Sequence, residues 1–482
     1  MYTSMTRFPL SHEPFPPVLL SVEEEEALEA LADQQLLLAE RQLDEHVQQN
    51  QSVVDMSRWK SLKTRKSINL FCERSNYRQC HNDGSQSDVN WTLPQLLAVG
   101  SLKGTLEDII YGIQSPTAVH MIAKAATSND EVVDAQVLNE LKGPTIAHPF
   151  RFLGLKWLVK AHPAFMSAVV LPRDIVYVEH TGIKIRGDGS KLGYFLIHSV
   201  DLPQYPELRK ELGLVRAKVS SCVLLRQREN DTNEVDVFMT GRAAAQGRVL
   251  DSLALLSTAN GLTYFWNADI CAKRKKLAWR LRHKRIMSFE DALIPPSLCP
   301  LCTKSLRYVF TSPIRCEMCG IQICYRCSRA HKLLFPRDFG SKETQSVVVK
   351  LCTPCISQTL KENPIAIIRQ EIRAGQYGSL TSPRHGHRHR ARAFNVFEPY
   401  RHLSTKMDAP ASVNLSPDYS KFDYEDSTGP IHEREDEDEA DVTVRSQSFE
   451  MLYTLLDDLN LTMQREEQWN DYAGFDDETI LE

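Results

Sequence analysis

The sequence predicts an α+β protein that has three parts. The first is a large domain with a curved antiparallel sheet closed by a long C-terminal helix, because apolar segments rich in β-branched and aromatic residues alternate with turn signals between Trp59 and Leu277. The second is a small module with four C-x-x-C pairs, and the third is a largely disordered tail that loses regular patterning. A chain of 482 residues is too long for one core, so several folded units are expected.

The N-terminal region contains a proline-rich stretch and then a helix. Residues 1–20 are predicted to be disordered because of their proline content. Ser21 followed by Glu24 is typical of a capping box, which predicts a helix over residues 22–49. Its leucines recur at helical spacing, and we expect them to pack on the following domain because a free coiled coil would need more heptads. We therefore assign residues 21–285 to the large domain, including a basic connector at its end.

Within this domain, several strands and two helices are predicted. The predicted strands are residues 175–180, 194–200, 218–226 and 235–240, and the predicted helices are residues 131–141 and 246–276. The turn signal Arg186-Gly-Asp-Gly189 separates two of the strands. A sheet covered by a long final helix can enclose an apolar cavity.

A basic connector follows, from Lys273 to Arg285, and it contains Leu277, Trp279 and Leu281 among its cations. Such a segment can lie at an anionic bilayer. Nuclear import or RNA binding is a competing interpretation, and a helical extension with a solvated cationic face is a third.

The overall composition excludes several classes of protein. A net charge of -5 argues against a protein that coats nucleic acid, so we expect no nucleic-acid partner. We find no long apolar run and no N-terminal signal pattern, so a cytoplasmic protein is expected. We also find no phosphate-binding loop, no G-x-S-x-G elbow and no H-E-x-x-H pair, so the sequence predicts no enzyme.

Eight of the 12 cysteines form the four C-x-x-C pairs. They are Cys299 and Cys302, Cys316 and Cys319, Cys324 and Cys327, and Cys352 and Cys355. Zn²⁺ prefers four thiolate or imidazole ligands in a tetrahedron, so four pairs predict two zinc ions. The sites are predicted to be structural because every ligand position is a cysteine and none is left for water. The spacing alone leaves open which pairs share an ion.

This module resembles a FYVE-type zinc finger over residues 290–360. The resemblance rests on Gly320, on Tyr325-Arg326-Cys327, and on Lys350-Leu351-Cys352. It implies a cross-braced arrangement in which the first pair joins the third, and the second pair joins the fourth. Cys299, Cys302, Cys324 and Cys327 would then hold one zinc, and Cys316, Cys319, Cys352 and Cys355 the other.

The resemblance also implies membrane contact, through an apolar loop tip at Val309 and Phe310 and through the cations Arg315 and Lys350. Alternatively, Phe310 packs into the small core between the zinc ions. The family's basic phosphoinositide-binding strand is reduced here to Arg315, and Glu317 would repel a phosphate. Phosphatidylinositol 3-phosphate therefore remains only a possible ligand, with a degenerate binding motif.

The large domain resembles a START lipid-transfer domain, and in particular the START-plus-FYVE proteins that are abundant in oomycetes. The resemblance rests on residues 150–157, 172–179, 181–182, 193–199 and 215–216. It implies a helix-grip fold with a cavity for an apolar lipid or sterol. Arg173 and Asp174 match a pair common in the family, and we interpret them as a salt bridge at the edge of a strand rather than as a polar anchor for ligand.

The tail, residues 361–482, is predicted to be largely disordered with one short amphipathic helix near 446–465. That helix would dock on a protein partner or on the body of the chain. The whole sequence thus favours a zinc- and lipid-binding peripheral membrane protein, a lipid carrier or membrane adaptor at endosomal or other anionic membranes. The alternatives are a protein-interaction scaffold and, less favoured because no histidine is among the ligands, a RING-like ubiquitin ligase.

Overall fold

The sheet domain is built on one ten-stranded sheet in this computed structural model. The structure describes residues 8–74, 91–128, 130–161, 171–228, 231, 233–246, 251–283, 298–306, 314–336 and 342–377. The strands are β1 (Trp59–Arg65), β2 (Ile68–Glu73), β3 (Leu96–Lys103), β4 (Val132–Lys142), β5 (Phe152–Lys160), β6 (Arg173–Ile185), β7 (Lys191–Ser199), β8 (Val215–Arg216), β9 (Lys218–Gln227) and β10 (Glu234–Ala244). Their order is β1-β2-β3-β10-β9-β7-β6-β5-β4, with antiparallel neighbours. Short β8 pairs in parallel with β6.

Helices lie on both faces of this sheet. They are α1 (Val22–Asp44), continued by one π-helical turn (Glu45–Gln49), α2 (Leu106–Ile113), α3 (Ala118–Ser128), α4 (Arg209–Leu212), α5 (Asp251–Leu262), a 3₁₀ turn (Tyr264–Asn267) and α6 (Ala268–Arg282). The C-terminal module adds β11 (Ile314–Arg315), β12 (Gln322–Ile323), a 3₁₀ turn (Tyr325–Cys327), β13 (Ser328–Pro336), β14 (Thr344–Cys352), α7 (Thr353–Leu360) and α8 (Pro364–Arg373). None of the helices within these described ranges is long and apolar enough to span a bilayer.

One face of the sheet is covered by α1, as predicted. The Ser21 hydroxyl accepts a hydrogen bond from the Glu24 amide at 3.2 Å, and the Glu24 carboxylate accepts one from the Ser21 amide at 2.8 Å. This reciprocal capping box confirms the predicted start of the helix. Leu28, Leu36 and Leu43 are buried against the sheet, so the prediction that the helix packs on the domain is also confirmed.

The chain before α1 also packs on this face. Phe15 is 2% exposed, and its ring contacts the edges of Trp157 and Tyr205 at centroid distances of 5.9 and 5.4 Å. The Leu10 amide donates to the Asp134 carboxylate at 2.8 Å. The predicted disorder of residues 1–20 is therefore wrong for the described residues 8–20, because one buried aromatic ring anchors a segment whose composition alone indicates no core.

The predicted strands correspond to β6, β7, β9 and β10, and only Val200 lies beyond the end of its strand. The predicted turn joins β6 to β7, and Gly189 has a φ of +83°, which only glycine adopts readily. The helix predicted over residues 131–141 is wrong, because this segment is β4 and pairs with β5 along its length. Tertiary pairing has overridden a local pattern that fits a helix.

The opposite face of the sheet is covered by α2, α5, α6 and the turn between α5 and α6. Residues from these elements share one buried core with β2, β3, β9 and β10, including Ile109, Leu262, Phe265 and Trp279. The predicted long helix is present but interrupted at Thr263, where the 3₁₀ turn begins. The predicted helix-grip arrangement, an antiparallel sheet closed by a long C-terminal helical segment, is confirmed.

The tail was predicted to be largely disordered from residue 361 onward, but its first part is folded. Residues 364–373 form α8, where Ile367 and Ile368 are 1% and 0% exposed and belong to the core of the sheet domain. Asn363 caps this helix by accepting a hydrogen bond from the Ile365 amide at 2.8 Å. The helix predicted near 446–465 lies outside the described residues.

Candidate functional site

A cavity lies between the sheet and the helices α3 and α5. Its volume is about 130 Å³, and it is partly open to solvent. Most of the wall is apolar, and the residues responsible include Met121, Leu158, Ile175, Phe195, Ile197, Val219, Ala243, Ala254, Leu262 and Tyr264. The small residues Ala254 and Gly261 of α5 leave room for the space beneath the helix. A concave apolar space with a few polar groups is the usual form of a small-molecule site.

The polar wall of the cavity includes Glu179, which belongs to a buried ion pair that the sequence did not predict. Lys156 of β5 donates to Glu179 of β6 at 2.6 Å and to the Ser115 carbonyl at 2.9 Å. The two side chains are 0% and 2% exposed. Burial lowers the pKa of Lys156, and the Glu179 carboxylate opposes that shift. A buried pair with this additional hydrogen bond is well satisfied, so it fixes the neighbouring strands.

The other charged residues at the cavity edge are mostly paired. Lys160 donates to Asp130 at 2.5 Å, and Lys218 forms an ion pair with Asp201. The signal for these residues in the sequence is weak, because lysine in a strand is usually a solvated residue.

The predicted salt bridge between Arg173 and Asp174 is wrong. Successive residues on a strand point to opposite faces, so the two side chains separate. Arg173 lines the cavity and donates to the carbonyl oxygens of Leu171 and Ala245 at 2.9 and 3.1 Å. Asp174 faces the other side, where it is 0% exposed and accepts from Arg216.

The eight cysteines lie in two clusters of four. The first contains Cys299, Cys302, Cys324 and Cys327, and the second contains Cys316, Cys319, Cys352 and Cys355. This is the same division that the resemblance implies. All sulfur atoms within a cluster lie within 4.8 Å of one another.

The sulfur positions fit a tetrahedral zinc ion. Zinc–sulfur bonds of about 2.3 Å in a tetrahedron place the sulfurs about 3.8 Å apart. The Cys302 and Cys324 sulfurs are 3.5 Å apart, and the Cys319 and Cys352 sulfurs are 3.8 Å apart. Each cluster could hold one ion as a structural centre, because all four positions are thiol groups.

The backbone of each C-x-x-C turn has a shape that supports this role. Thr303 and Gly320, which directly follow the first and second pairs, have φ angles of +57° and +78°. Their amides donate to the carbonyls of Cys299 and Cys316 at 2.8 Å, which closes each turn. The Cys352 amide donates to the Cys316 sulfur at 3.3 Å, so hydrogen bonds also support the sulfur atoms. A hydrogen bond from Cys355 lowers the pKa of Cys316 to about 4.

Of the four predicted lipid contacts, the structure describes Arg315 and Lys350. Val309 and Phe310 lie outside the described residues. Arg315 is exposed, and its guanidinium donates to the Gly320 carbonyl at 2.9 Å. Lys350 is exposed too, but the Glu317 carboxylate accepts from its backbone amide at 2.9 Å. Glu317 therefore joins the second cluster's turn to β14, which gives it a structural role.

One face of the β13–β14 hairpin is exposed and cationic. Lys332 and Val348 are direct partners across the hairpin, as are Ala330 and Lys350, and all four are exposed. Val348 is 59% exposed. Lys332 and Val348 are not among the predicted contacts, although their alternation with the buried residues of the two strands is a readable signal.

The finger is packed on the sheet domain through α6. Leu277 and Leu281 of α6 are buried in the same core as Leu306 and Phe335 of the finger. Lys276 is 3% exposed, donates to the Leu360 carbonyl at 2.8 Å and forms an ion pair with Asp108 at 2.6 Å. The described part of the basic connector is thus a helix between two modules, and the buried Lys276 does not fit the third interpretation, a helical extension with a solvated cationic face.

A second contact joins the finger to the sheet domain near β4. Lys342 forms an ion pair with the fully buried Asp134 at 3.1 Å, and β13 and β14 contact α3. Since α3 also lines the cavity, the finger and the cavity share one wall element.

No family model matches the chain, and no curated protein matches it. Among solved structures, the chain is similar to human StAR-related lipid transfer protein 5, with 14% identity, a TM-score of 0.35, and coverage of 50% of this chain and 98% of that chain. It is similar to human STARD10 at 12% identity and a TM-score of 0.32, covering 55% of this chain and 84% of that chain. It is also similar to a STAR-related lipid transfer protein fragment from Xanthomonas axonopodis, at 20% identity and a TM-score of 0.29, covering 44% of this chain and 96% of that chain.

Proposed function

We propose that this protein is a lipid-binding protein, which holds one apolar lipid between the sheet and α5 and carries a finger held together by two zinc ions. The apolar cavity beneath the C-terminal helical segment is the observation that carries the proposal. The polar groups around it are few, and the Lys156–Glu179 pair is already satisfied, so an apolar molecule loses little by entering. The proposal assigns binding and no catalytic step.

The size of the cavity constrains how a lipid would enter. A volume of about 130 Å³ is below the roughly 300 Å³ at which pockets for drug-sized ligands begin. A long-chain lipid would therefore be accommodated only if α5 moves away from the sheet. The helix suits such a movement because Ala254, Ser257 and Gly261 present small side chains to the cavity.

Lipid capture tests the cavity directly. The full chain is incubated with vesicles of mixed lipid composition and re-isolated, and its bound lipids are measured by mass spectrometry. We expect about one lipid per chain for the wild type and less than about a tenth of that for Ala254→Phe, which fills the cavity.

Ala126→Phe serves as the control, because Ala126 is an exposed residue of α3 and its replacement leaves the cavity unchanged. Thermal melting of both variants tests whether the fold is retained. Equal lipid loading of Ala254→Phe and the wild type would contradict the proposal, as would a wild-type chain that captures no lipid.

We further propose that the exposed face of the β13–β14 hairpin associates with anionic membranes, so that the protein is a peripheral one in the cytoplasm at endosomal or similar surfaces. Lys332 and Lys350 supply cations on this face, and the exposed Val348 between them supplies apolar contact. Each cation near an anionic surface contributes on the order of 1 kcal/mol. The position of Glu317 favours general attraction to anionic lipids over specific recognition of phosphatidylinositol 3-phosphate.

Vesicle sedimentation tests this second part. For vesicles that contain phosphatidylserine, we expect the double variant Lys332→Glu/Lys350→Glu to bind about tenfold or more weakly than the wild type, because two attractions become repulsions. The control is Lys60→Glu/Lys103→Glu, which makes the same charge change at exposed positions of β1 and β3. The proposal fails if both double variants bind the vesicles equally. Tighter binding to vesicles with phosphatidylinositol 3-phosphate than to vesicles with another lipid of equal charge would indicate specific recognition instead of general attraction.

A further inference from the structure

A lysine ammonium on the cavity wall forms no close ion pair in the described part of the chain, and the carboxylates of Glu179 and Asp130 attract it only from a greater distance. Lys124 of α3 lines the cavity, and its Nζ atom lies 4.8 Å from the ring centroid of Tyr264 and 5.2 Å from that of Phe195. The described residues give it no ion pair and no hydrogen bond. Burial lowers the pKa of this lysine, because an apolar environment disfavours its charged form.

The other lysines near this cavity differ from Lys124 in having partners. Lys156 is paired with Glu179, and Lys160 is paired with Asp130. Two aromatic faces offer an ammonium some electrostatic attraction, but they leave its hydrogen-bond donors without acceptors. Lys124 is therefore the lysine of this cavity that a ligand can still satisfy among the described residues, whereas the guanidinium of Arg173 already donates to backbone carbonyls.

A second residue of the cavity wall, Tyr264, also carries an unsatisfied group. The Tyr264 hydroxyl is buried and has no hydrogen-bond partner among the described residues. Buried donors in native proteins are almost always satisfied, and an isolated one needs an explanation such as an absent ligand. Lys124 and Tyr264 come from α3 and from the turn after α5, so the two elements that enclose the cavity each contribute one donor.

We propose that the cavity takes a lipid with a single anionic acceptor group, a long-chain carboxylate, whose head accepts from Lys124 and Tyr264 while its hydrocarbon chain lies among the apolar residues beneath α5. This inference rests on the proposed function and names the class of lipid. A carboxylate offers two oxygen atoms that can accept from both donors, and its charge neutralises the ammonium. A neutral alcohol of the same chain length makes the same apolar contacts without neutralising the charge.

The test measures retention of radiolabelled oleate and oleyl alcohol by the full chain on gel filtration, over a range of ligand concentrations. We expect the wild type to bind oleate about 10- to 100-fold more tightly than oleyl alcohol. Lys124→Met keeps the length of the side chain but removes its charge, so it should remove that preference and leave the affinity for the alcohol unchanged. Lys124→Arg should keep the preference, and Tyr264→Phe should reduce it by a smaller factor.

Lys160→Met is the matched control, because Lys160 also lines the cavity but is neutralised by Asp130. It should keep the preference for oleate. Equal wild-type affinity for both ligands overturns the inference, even if Lys124→Met does not fold, and so does an undiminished preference in Lys124→Met. If the wild type binds the alcohol and does not prefer oleate, the proposal of a lipid cavity holds and only the proposal of a carboxylate ligand fails. If the wild type binds no lipid at all, both proposals fail.

Discussion

Replacement of Cys316 by serine is expected to abolish metal binding at the second cluster and to unfold the finger. Cys316 is fully buried, and its sulfur is supported by the Cys352 amide. Structural zinc contributes roughly 10–16 kcal/mol in isolated finger modules, which is more than a core of this size supplies by itself. Serine leaves three thiol ligands and a poorly matched hydroxyl, so most of this free energy is lost.

Metal analysis and hydrogen exchange check this expectation. The wild type should carry about two zinc ions per chain, and Cys316→Ser about one or fewer. Amide exchange should rise across β13 and β14 and also in α6 near Leu281, which shares the finger's core. Cys72→Ser is the control, because Cys72 is a buried thiol of β2 outside both clusters. The zinc content of this variant should equal that of the wild type. Two retained zinc ions in Cys316→Ser, or a finger that a chelator leaves folded, would show that metal does not hold it together.

The second large effect is expected for Asp174→Asn, at the centre of a buried polar network. The Asp174 carboxylate accepts from the Trp157 indole and from Arg216, in both cases at 3.0 Å. Arg216 also donates to the carbonyls of Tyr205 and Pro206 at 3.1 and 2.9 Å. Asparagine has nearly the same shape but no charge, so it leaves the 7%-exposed Arg216 side chain without a counter-ion.

Removal of one member of a buried ion pair costs about 3–5 kcal/mol, and we expect a loss of this size in the free energy of unfolding, measured by urea denaturation. Asp201→Asn is the comparison. Asp201 is 65% exposed and pairs with Lys218, so its replacement should cost no more than about 1 kcal/mol. If Asp174→Asn loses no more free energy of unfolding than Asp201→Asn, the network is not the main interaction that holds β6 and β8 together.

The sequence predicted the central strands because their apolar residues recur over long, uninterrupted segments bounded by turns. It failed at β4, where the apolar residues at 132, 133, 137 and 141 also fit one side of a helix. Only the pairing with β5, which is distant in sequence, decides between these structures. The α8 helix was missed for a related reason, since its isoleucines are few and their burial depends on packing against α2 and α6, which are distant in sequence.

Of the two candidate sites, the sequence predicted the metal site but not the polar groups of the cavity. The C-x-x-C pairs are local, so their positions indicate a metal module directly, and family resemblance was needed only to divide them into two clusters. The polar groups of the cavity come from α3, β5, β6 and the turn after α5. Buried lysines are rare, so the sequence gives no reason to expect Lys124 or Lys156 on the inside of the protein.

The two-sided packing of α6 determines how this protein can be divided. Its Ala272 and Trp279 lie in the core of the sheet domain, whereas Leu277 and Leu281 lie in the core of the finger. A finger excised after residue 283 would lose one wall of its interior, and a sheet domain that ends there would expose leucines to water. Transplanting the zinc module onto another protein would therefore require a cut ahead of α6, so that the graft carries this helix with it.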